Sequence, residues 1–358
     1  MKVKLGDVCE RGTSNLRQSD VVGKGGDYPI YGASGYIGDV DFYHQEKSYV
    51  AIVKDGAGIG RTMLCPEKSS VIGTMQYLLP KEAILPQYLY YVVKYMHLEK
   101  YFSGATIPHI YFKDYKNEQF NLDTLKKQAI IVKILGKCEE VIAARNKQLN
   151  ALDELIQARF VEMFGDINVN PLGWDTYSLD ECFEIASSKR ILKSEWKTEG
   201  IPFLRVRDVV QLVTTGKIDN DFFVSEEFYA TLKDSDGIPK QGDVLVSATS
   251  TLGKCYIVES GERFYFKDAD VLRFRSKKNI NPVFFVEQMK TQYIEKQIAR
   301  TLGVTTVAHF TIKAAKTINM RLPPIELQNQ FADFVNQVHK SKLVIKNLLQ
   351  IYKHRIQM

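Results

Sequence analysis

Two short polar phrases of similar composition are the first candidates for chemistry in this chain of 358 residues. One reads GATIPHIYFKD and begins at residue 104; the other reads GVTTVAHFTIKAA and begins at residue 303. With one residue inserted in the second phrase, His109 aligns with His309 and Lys113 aligns with Lys313. An imidazole and an ammonium group at this spacing could contact a nucleic-acid backbone, or they could cap local structure through hydrogen bonds. The sequence leaves both roles open.

A glycine-rich stretch, KDGAGIGR at 54–61, is the second candidate, and its counterpart is SATSTLGK at 247–254. Glycine lets backbone amides approach phosphates closely, and an arginine can form two hydrogen bonds to guanine. The stretch lacks the Lys-Ser/Thr pair of a P-loop, so a tight turn between strands is an equal alternative. Together with the upstream phrase YPIYGASGYIG, these stretches provide the candidate DNA-contact residues Ser34, Tyr36, Lys54, Gly58, Arg61, Ser247, Thr249, Ser250 and Lys254.

Arginine alternates with apolar residues in RVRD at 205–208 and in RFRSKK at 273–278. On a β-strand, side chains two residues apart lie on the same face. If these stretches are strands, Arg205 with Arg207, and Arg273 with Arg275, each share a face and are candidates for contact with a nucleic-acid groove. Salt-bridged strands at the surface are the competing interpretation.

Composition limits the class of protein. A net charge of +6 and an isoelectric point near 8.8 are compatible with a polyanionic partner but are too mild to establish one. The sequence contains no run of about 18 apolar residues, so no membrane span is predicted. Acidic residues interrupt the N-terminal MKVKLGDVCE before the apolar core of a signal peptide, so secretion is not expected. The five widely spaced cysteines lack a C-x-x-C pair, which is typical of reduced cytoplasmic thiols. We expect no metal and no cofactor.

Several further phrases recur in the same order, which indicates that one unit is present twice. LGDVCE at residue 5 matches LDECFE at 179, and ILPQYLYYVVK at 84 matches INPVFFVEQMK at 280. After each His/Lys phrase, NLDTLKKQ and RLPPIELQ align Gln128 with Gln328. The offset grows from about 174 to 200, so insertions are expected in the second copy, mostly before residue 250. Short β-rich runs between Gly and Asp turns, with a helix predicted at 87–102, indicate an α+β fold.

Each copy ends in a long segment with an apolar residue at every seventh position. The first row is Leu135, Ile142, Leu149, Ile156 and Met163; the second is Phe331, Val338, Ile345 and Tyr352, flanked by Leu349. A seven-residue repeat keeps one stripe of a helix facing a partner helix. We therefore predict two long helices that pack against each other as an antiparallel coiled coil, rather than each packing on its own globular part.

The predicted organisation has five parts. They are a first globular domain at 1–124, a first spacer helix at 125–165, a linker at 166–174, a second globular domain at 175–324 and a second spacer helix at 325–358. Two copies joined in this order can be related by an internal pseudo-twofold axis, with one globular domain at each end of the helix pair.

Across essentially its whole length, the chain resembles the specificity subunit of Type I restriction-modification systems. The phrases that carry the resemblance are YPIYGASGYIG (28–38), VKDGAGIGR (53–61), GATIPHIYFKD (104–114), MFGDINVNPLGW (163–174) and LPPIELQNQF (322–331). The resemblance implies that each globular part is a target-recognition domain for one half of a split site in double-stranded DNA. It also implies that the helices set the spacer and dock two methyltransferase subunits, to which a translocating nuclease subunit is added. Because the two domains differ outside the shared phrases, the predicted site is asymmetric.

Two classes of DNA-modifying enzyme are alternatives to a binding protein. An amino-methyltransferase would need a cofactor loop and an aromatic Pro-Pro motif, but RLPPI at 321–325 lacks the aromatic residue. A metal-dependent nuclease would need clustered carboxylates with a lysine, of which SEWK at 194–197 is only a fragment. The chain is therefore expected to be non-catalytic. A coiled-coil adaptor that binds proteins instead of DNA is the alternative function.

Overall fold

The structure is a computed structural model that describes residues 1–21, 23–104, 106–232, 238–249, 251–302 and 309–357, without the side chains of 353–357. The chain divides into two compact units, of which the first comprises 1–146 with 347–358 and the second comprises 147–346. Among the described residues, no helix combines the length and the apolar character needed to cross a membrane.

The first unit contains nine strands and four short helices among its described residues, and it holds the first part of a long helix. The strands are β1 Lys2–Lys4, β2 Cys9–Thr13, β3 Tyr28–Gly32, β4 Gly35–Val40, β5 Tyr49–Val53, β6 Thr62–Cys65, β7 Ser70–Val71, β8 Met75–Pro80 and β9 Gln119–Asn121. The helices are α1 Leu5–Val8, α2 Gln18–Val21, α3 Pro86–Tyr95, α4 Phe112–Tyr115 and the long α5 Leu125–Phe164, with a 3-10 turn at Leu98–Tyr101.

The second unit repeats this series after the end of α5. Its strands are β10 Asp175–Ser178, β11 Phe183–Ala186, β12 Ile201–Leu204, β13 Phe223–Val224, β14 Val244–Ser247, β15 Cys255–Ile257, β16 Tyr265–Phe266, β17 Val271–Ser276 and β18 Asn319–Leu322. Its helices are α6 Leu179–Cys182, α7 Val206–Thr215, α8 Glu226–Thr231, α9 Pro282–Met289, α10 Gln292–Thr301, α11 Ile312–Lys316 and the long α12 Ile325–Gln357, with a 3-10 turn at Lys193–Glu195.

The two units have the same sheet topology. In the first, β1 pairs with β9, and the other strands form the sheets β2-β8-β5-β6 and β4-β3-β7. In the second, β10 pairs with β18, and the sheets are β11-β17-β14-β15 and β13-β12-β16. Even the parallel pair recurs, as β3 with β7 and β12 with β16. The predicted duplication and the α+β fold are therefore confirmed.

The insertions expected before residue 250 are also found. They contain α7 and α8, which lie between β12 and β14. The equivalent stretch of the first unit runs directly from β3 through β4 to β5. The second unit therefore carries additional surface on the same frame.

Short polar caps define the small helices that recur in the two units. The Ser178 hydroxyl accepts a hydrogen bond from the Glu181 amide at 3.2 Å, and the Glu181 carboxylate accepts one from the Ser178 amide at 2.7 Å. This is a capping box, in which two otherwise unpaired amides at a helix start are satisfied reciprocally. In the first unit the Asp7 carboxylate accepts from the Lys4 amide at 2.9 Å, at the start of α1. The matched phrases LGDVCE and LDECFE are thus the same short helix leading into a strand.

The long helices pack in antiparallel fashion within the second unit. The rings of Phe160 and Phe164 both lie 5.4 Å from the ring of Phe331, measured between centroids. Further along α12, Lys342 forms an ion pair with Asp153, which lies earlier on α5. A later residue of α12 therefore contacts an earlier residue of α5, which shows that the two helices are antiparallel, as predicted.

The seven-residue spacing marks the buried face of α12. Phe331, Val338, Ile345 and Leu349 are buried, and Tyr352 is half-buried. On α5 the spacing is less complete, because Ile156 is buried whereas Leu135, Ile142, Leu149 and Met163 are half-buried. Phe160 and Phe164 lie outside the seven-residue row, and they join Ile156 and Phe331 in the core of the second unit.

A buried glutamine fastens the start of each long helix to its own unit. The Gln128 amide group accepts from the Leu85 amide at 2.9 Å and donates to the carbonyls of Ala83 and Asp123 at 2.9 and 2.8 Å. Gln328 accepts from the Asn281 amide at 3.0 Å and donates to the Pro323 carbonyl at 2.7 Å. Both side chains are essentially inaccessible to solvent. The repeated glutamine therefore fixes each helix to the loop that precedes α3 or α9.

Replacing Gln328 by alanine should destabilise the second unit. The change leaves the Asn281 amide and the Pro323 carbonyl without their partner inside the protein, at a cost of roughly 1–3 kcal/mol. At about 2–4 °C per kcal/mol for a unit of this size, Tm should fall by roughly 2–12 °C. Gln330→Ala is the matched control, since Gln330 is exposed two residues further along the same helix. Equal melting of both variants would contradict a fastening role for Gln328.

Candidate nucleic-acid interface

The glycine-rich stretch at 54–61 forms a tight connection between β5 and β6. The Val53 amide donates to the Arg61 carbonyl at 2.9 Å, and the Gly60 amide donates to the Val53 carbonyl at 2.9 Å. Gly60 has φ +82°, and a Cβ there would lie 2.9 Å from the backbone nitrogen of Glu99. Glycine is therefore required at this position by both conformation and space.

Most amides of this loop donate to protein carbonyls, which favours the tight-turn alternative over a phosphate-binding loop. Donors to protein carbonyls include the amides of Lys54, Asp55, Gly56, Ile59, Gly60 and Arg61. A phosphate would have to break these hydrogen bonds to reach the same N–H groups. The tight-turn alternative fits the structure for the backbone, and any contact with DNA falls to the side chains.

His109 links the glycine loop to the segment that precedes α4. Its Nδ1 lies 2.7 Å from an Asp55 carboxylate oxygen, and its side chain is 34% exposed. The Ile110 amide donates to the Lys54 carbonyl, and the Gly56 amide donates to the Pro108 carbonyl, each at 2.9 Å. The structural role weighed for His109 is thus supported by a carboxylate partner 54 residues earlier in the chain.

Arg61 connects the loop to the turn between β3 and β4. Its guanidinium donates to the Ala33 carbonyl at 2.9 Å, and it lies beside Gly58, where a Cβ would be 3.6 Å from Cζ of Arg61. Ser34 is exposed in the same turn. The 58% exposed Tyr36 follows, and the hydrogen bond from its hydroxyl to Asp39 raises the pKa of Tyr36. Residues predicted from separate phrases are therefore brought to one exposed edge.

Exposed apolar side chains near His109 were missed by sequence reasoning. Phe102 is 61% exposed, Ile107 is 53% exposed and Tyr111 is 47% exposed. The Tyr111 ring stacks on the His109 ring at 6.2 Å, and the Lys113 ammonium lies 5.5 Å from the Tyr111 centroid. Exposed rings beside cations suit contact with bases and sugars.

The corresponding loop of the second unit has the same backbone hydrogen bonds. The Ser247 amide donates to the Lys254 carbonyl at 2.9 Å, and the Gly253 amide donates to the Ser247 carbonyl at 3.0 Å. The Phe310 amide donates to the Ala248 carbonyl at 2.8 Å, as Ile110 does to Lys54. Lys254 therefore occupies the place of Arg61, and Thr249 occupies the place of Asp55.

Ser247 is not available for contact with DNA, contrary to the expectation. Its side chain is fully buried, its hydroxyl donates to the Thr251 carbonyl, and it accepts from the Lys254 amide at 2.9 Å. These hydrogen bonds shape the loop. Thr249 is half-buried and Lys254 is exposed, whereas Ser250 and the stretch 303–308 lie outside the described residues.

His309 and the exposed Lys313 line a cavity of about 460 Å³ in the second unit. The wall also includes Arg190, Ser188 and Asp268. Because Thr249 replaces Asp55 in the repeat, His309 lacks the carboxylate that holds His109. The two copies of the His/Lys phrase thus have different surroundings on the same frame.

RVRD does not form a strand. Arg205 is the residue before α7, and Arg207 lies in its first turn. Both guanidinium groups pair with the fully buried Asp208, at 3.0 Å and 3.2 Å. Asp208 also accepts from the Arg205 amide at 2.9 Å, so it caps the helix. A buried carboxylate needs such partners, which explains the arginines without DNA.

RFRSKK is a strand, and Arg273 and Arg275 share a face of β17, as predicted. That face points into the protein rather than towards a groove. The Arg273 side chain is 1% exposed and pairs with Glu184 at 2.7 Å. Arg275 binds both oxygens of Asp243, at 2.9 and 2.8 Å. The salt-bridged interpretation fits: the Arg273 side chain is buried, although its partner Glu184 is 38% exposed, and Arg275 pairs with the buried Asp243. Arg273 is therefore removed from the DNA-contact candidates.

Comparisons with known proteins agree with this duplicated architecture. A family model described as the Type I restriction modification DNA specificity domain matches residues 1–154 and 171–351. The type I restriction enzyme MjaVIII specificity subunit of Methanocaldococcus jannaschii is 24% identical over 345 residues, covering 86% of this chain and 79% of that protein.

Two solved structures share the fold. The S subunit of a Type I restriction-modification system from M. genitalium has a TM-score of 0.63 at 16% identity, covering 99% of this chain and 93% of its own. A second structure, described as the structural basis of complex assembly and conformational transition of the type I R-M system, has a TM-score of 0.56 at 16% identity. The match covers 100% of this chain and 95% of the other. Since the family model spans nearly the whole chain, the protein belongs to the Type I restriction-modification DNA specificity family and is a DNA sequence-recognition subunit.

Proposed function

We propose that each unit reads one half of an asymmetric bipartite DNA site, through the side chains at the edge formed by the β5–β6 loop or the β14–β15 loop. The paired helices set the gap between the halves and bind two methyltransferase subunits, and a translocating nuclease subunit joins the complex in the cytoplasm. The chain performs no catalysis itself, because its role is to position partner enzymes on a sequence.

The observation that carries this proposal is that the two units share one backbone structure but present different side chains in the matching loops. The backbone hydrogen bonds from Val53 to Arg61 and from Ser247 to Lys254 are the same, but the side chains they present differ. Arginine favours guanine through two hydrogen bonds, whereas lysine binds as a point charge. Two unlike readers on one frame are suited to two unlike half-sites.

Exposed apolar side chains on the long helices support the binding of partner subunits there. They include Ile134 and Leu155 on α5, and Leu343, Val344 and Ile351 on α12, each 46–60% exposed. Exposed apolar groups that are grouped on an element mark surfaces for protein contact.

The matched positions Arg61 and Lys254 allow the two readers to be tested separately. In a complex reconstituted with the methyltransferase subunits, Arg61→Gln should relax one position of the first half-site and cost about 1–3 kcal/mol of binding. Lys254→Gln should affect the second half-site alone. The measurement is the methylated motif together with the affinity for cognate DNA. Melting curves check the fold, because Arg61 also binds the Ala33 carbonyl. An effect of either variant on both halves would contradict the separation of readers.

Lengthening the helices should widen the gap between the half-sites. One added heptad in each of α5 and α12 extends the pair by about 10.5 Å. With the helix axes along the duplex, this corresponds to about 3 base pairs at about 3.4 Å each.

A matched control inserts seven residues in the linker beside the exposed Val169 instead, which leaves both helices unchanged. The gap is measured from the methylated motif. An unchanged gap in the helix variant, or the same change in the linker variant, would contradict the spacer role.

A further inference from the structure

The place in the first unit that matches the cavity beside His309 is closed between the described residues Ser14–Leu16 and Gly73. There, the segment that follows β2 contacts the segment that precedes β8, since the Gly73 amide donates to the Leu16 carbonyl at 2.7 Å. A Cβ on Gly73 would lie 3.2 Å from the Ser14 carbonyl oxygen and 3.3 Å from that of Leu16. Backbone therefore fills the place.

The second unit is built differently at the aligned positions. Ala269 stands for Gly73, and its amide donates to the Ser187 hydroxyl at 2.9 Å instead of to a carbonyl. Arg190 stands for Leu16 in the repeat. The space between the segment after β11 and the segment before β17 is the cavity of about 460 Å³. This volume is within the range of about 300–1,000 Å³ for ligand sites.

Most of the accessible wall of this cavity is apolar, but several charged and polar groups around it are suited to an anion. Arg190 and Lys313 are exposed and bring two permanent positive charges, while His309 contributes a half-buried imidazole. Asp268 is the one acidic group among the lining residues. The Ser188 side chain is buried in the wall, where its hydroxyl interacts with that of Tyr265. Cations and hydroxyl groups around a concave surface are the usual partners of phosphate oxygens.

We infer that this cavity binds a backbone phosphate of the DNA, and that the second unit thereby holds its half-site through a contact that the first unit lacks. The inference rests on the proposed function and deepens it. A phosphate contact fixes the position of the protein on the duplex without reading sequence. The first unit instead uses the corresponding histidine to hold its own glycine loop through Asp55.

The test is the salt dependence of DNA binding by the complex reconstituted with its methyltransferase subunits. Each phosphate that is neutralised contributes about −0.9 to the slope of log K against log salt concentration. The double variant Arg190→Gln/Lys313→Gln should reduce the magnitude of the slope by about 0.9 and weaken cognate and random DNA by the same factor. The charge-keeping variant Arg190→Lys/Lys313→Arg should restore the slope.

Lys340→Gln provides the matched control, because it removes an exposed charge from α12 that is not part of the cavity. An unchanged slope in the double variant would overturn the inference, as would an equal change with Lys340→Gln. Loss of binding to cognate DNA alone would also overturn it, since that result indicates base reading.

A second arm compares inorganic phosphate with chloride at constant ionic strength. If phosphate raises Tm of the wild type but not of the double variant while the DNA slope is unchanged, the cavity takes free phosphate and not DNA. The wild-type complex must first methylate a bipartite motif. Failure at that step would contradict the proposed function, whereas a bipartite motif with an unchanged slope would contradict the phosphate site alone.

Discussion

The attachment of each long helix to its recognition unit depends on one buried amide side chain. Gln128 and Gln328 satisfy backbone groups of both the helix start and the loop before the next short helix, from positions closed to water. A buried amide with unpaired partners is costly, so the helix cannot turn freely on its unit. A spacer has meaning only if its ends are fixed in this way, and the duplication preserves the glutamine while other residues change.

On this fixed frame, the two copies have diverged at the loop edges. Asp55 holds His109 in the first unit, and Thr249 stands at that place in the second. Leu16 closes on Gly73 in the first, whereas Arg190 borders an open cavity in the second. The hydrogen-bonded backbone stays the same because it maintains the fold. The side chains can differ where they face the surface, because a change of residue there costs little stability.

The sequence predicted features that depend on local periodicity. The seven-residue spacing gave the long helices within a few residues and the buried face of α12, and the ordered phrases gave the duplication. The arginine pattern was misleading because its meaning depends on distant carboxylates. Arg273 can be buried because Glu184 lies on the neighbouring strand, 89 residues earlier, and because the buried Asp243 lies 3.7 Å from its guanidinium. RVRD starts a helix because Asp208 caps it, which outweighs the alternation of apolar residues. The Asp55–His109 pair likewise joins positions that only the folded chain brings together.

The most direct test of two independent readers on one frame exchanges the second globular part for that of a relative. Residues 175–324 would be replaced in the chain, the complex reconstituted with its methyltransferase subunits, and the modified positions in DNA mapped. A bipartite motif in which the second half alone changes, with the first half and the gap retained, is the expected result. A change in both halves, or methylation without sequence preference, would contradict the account.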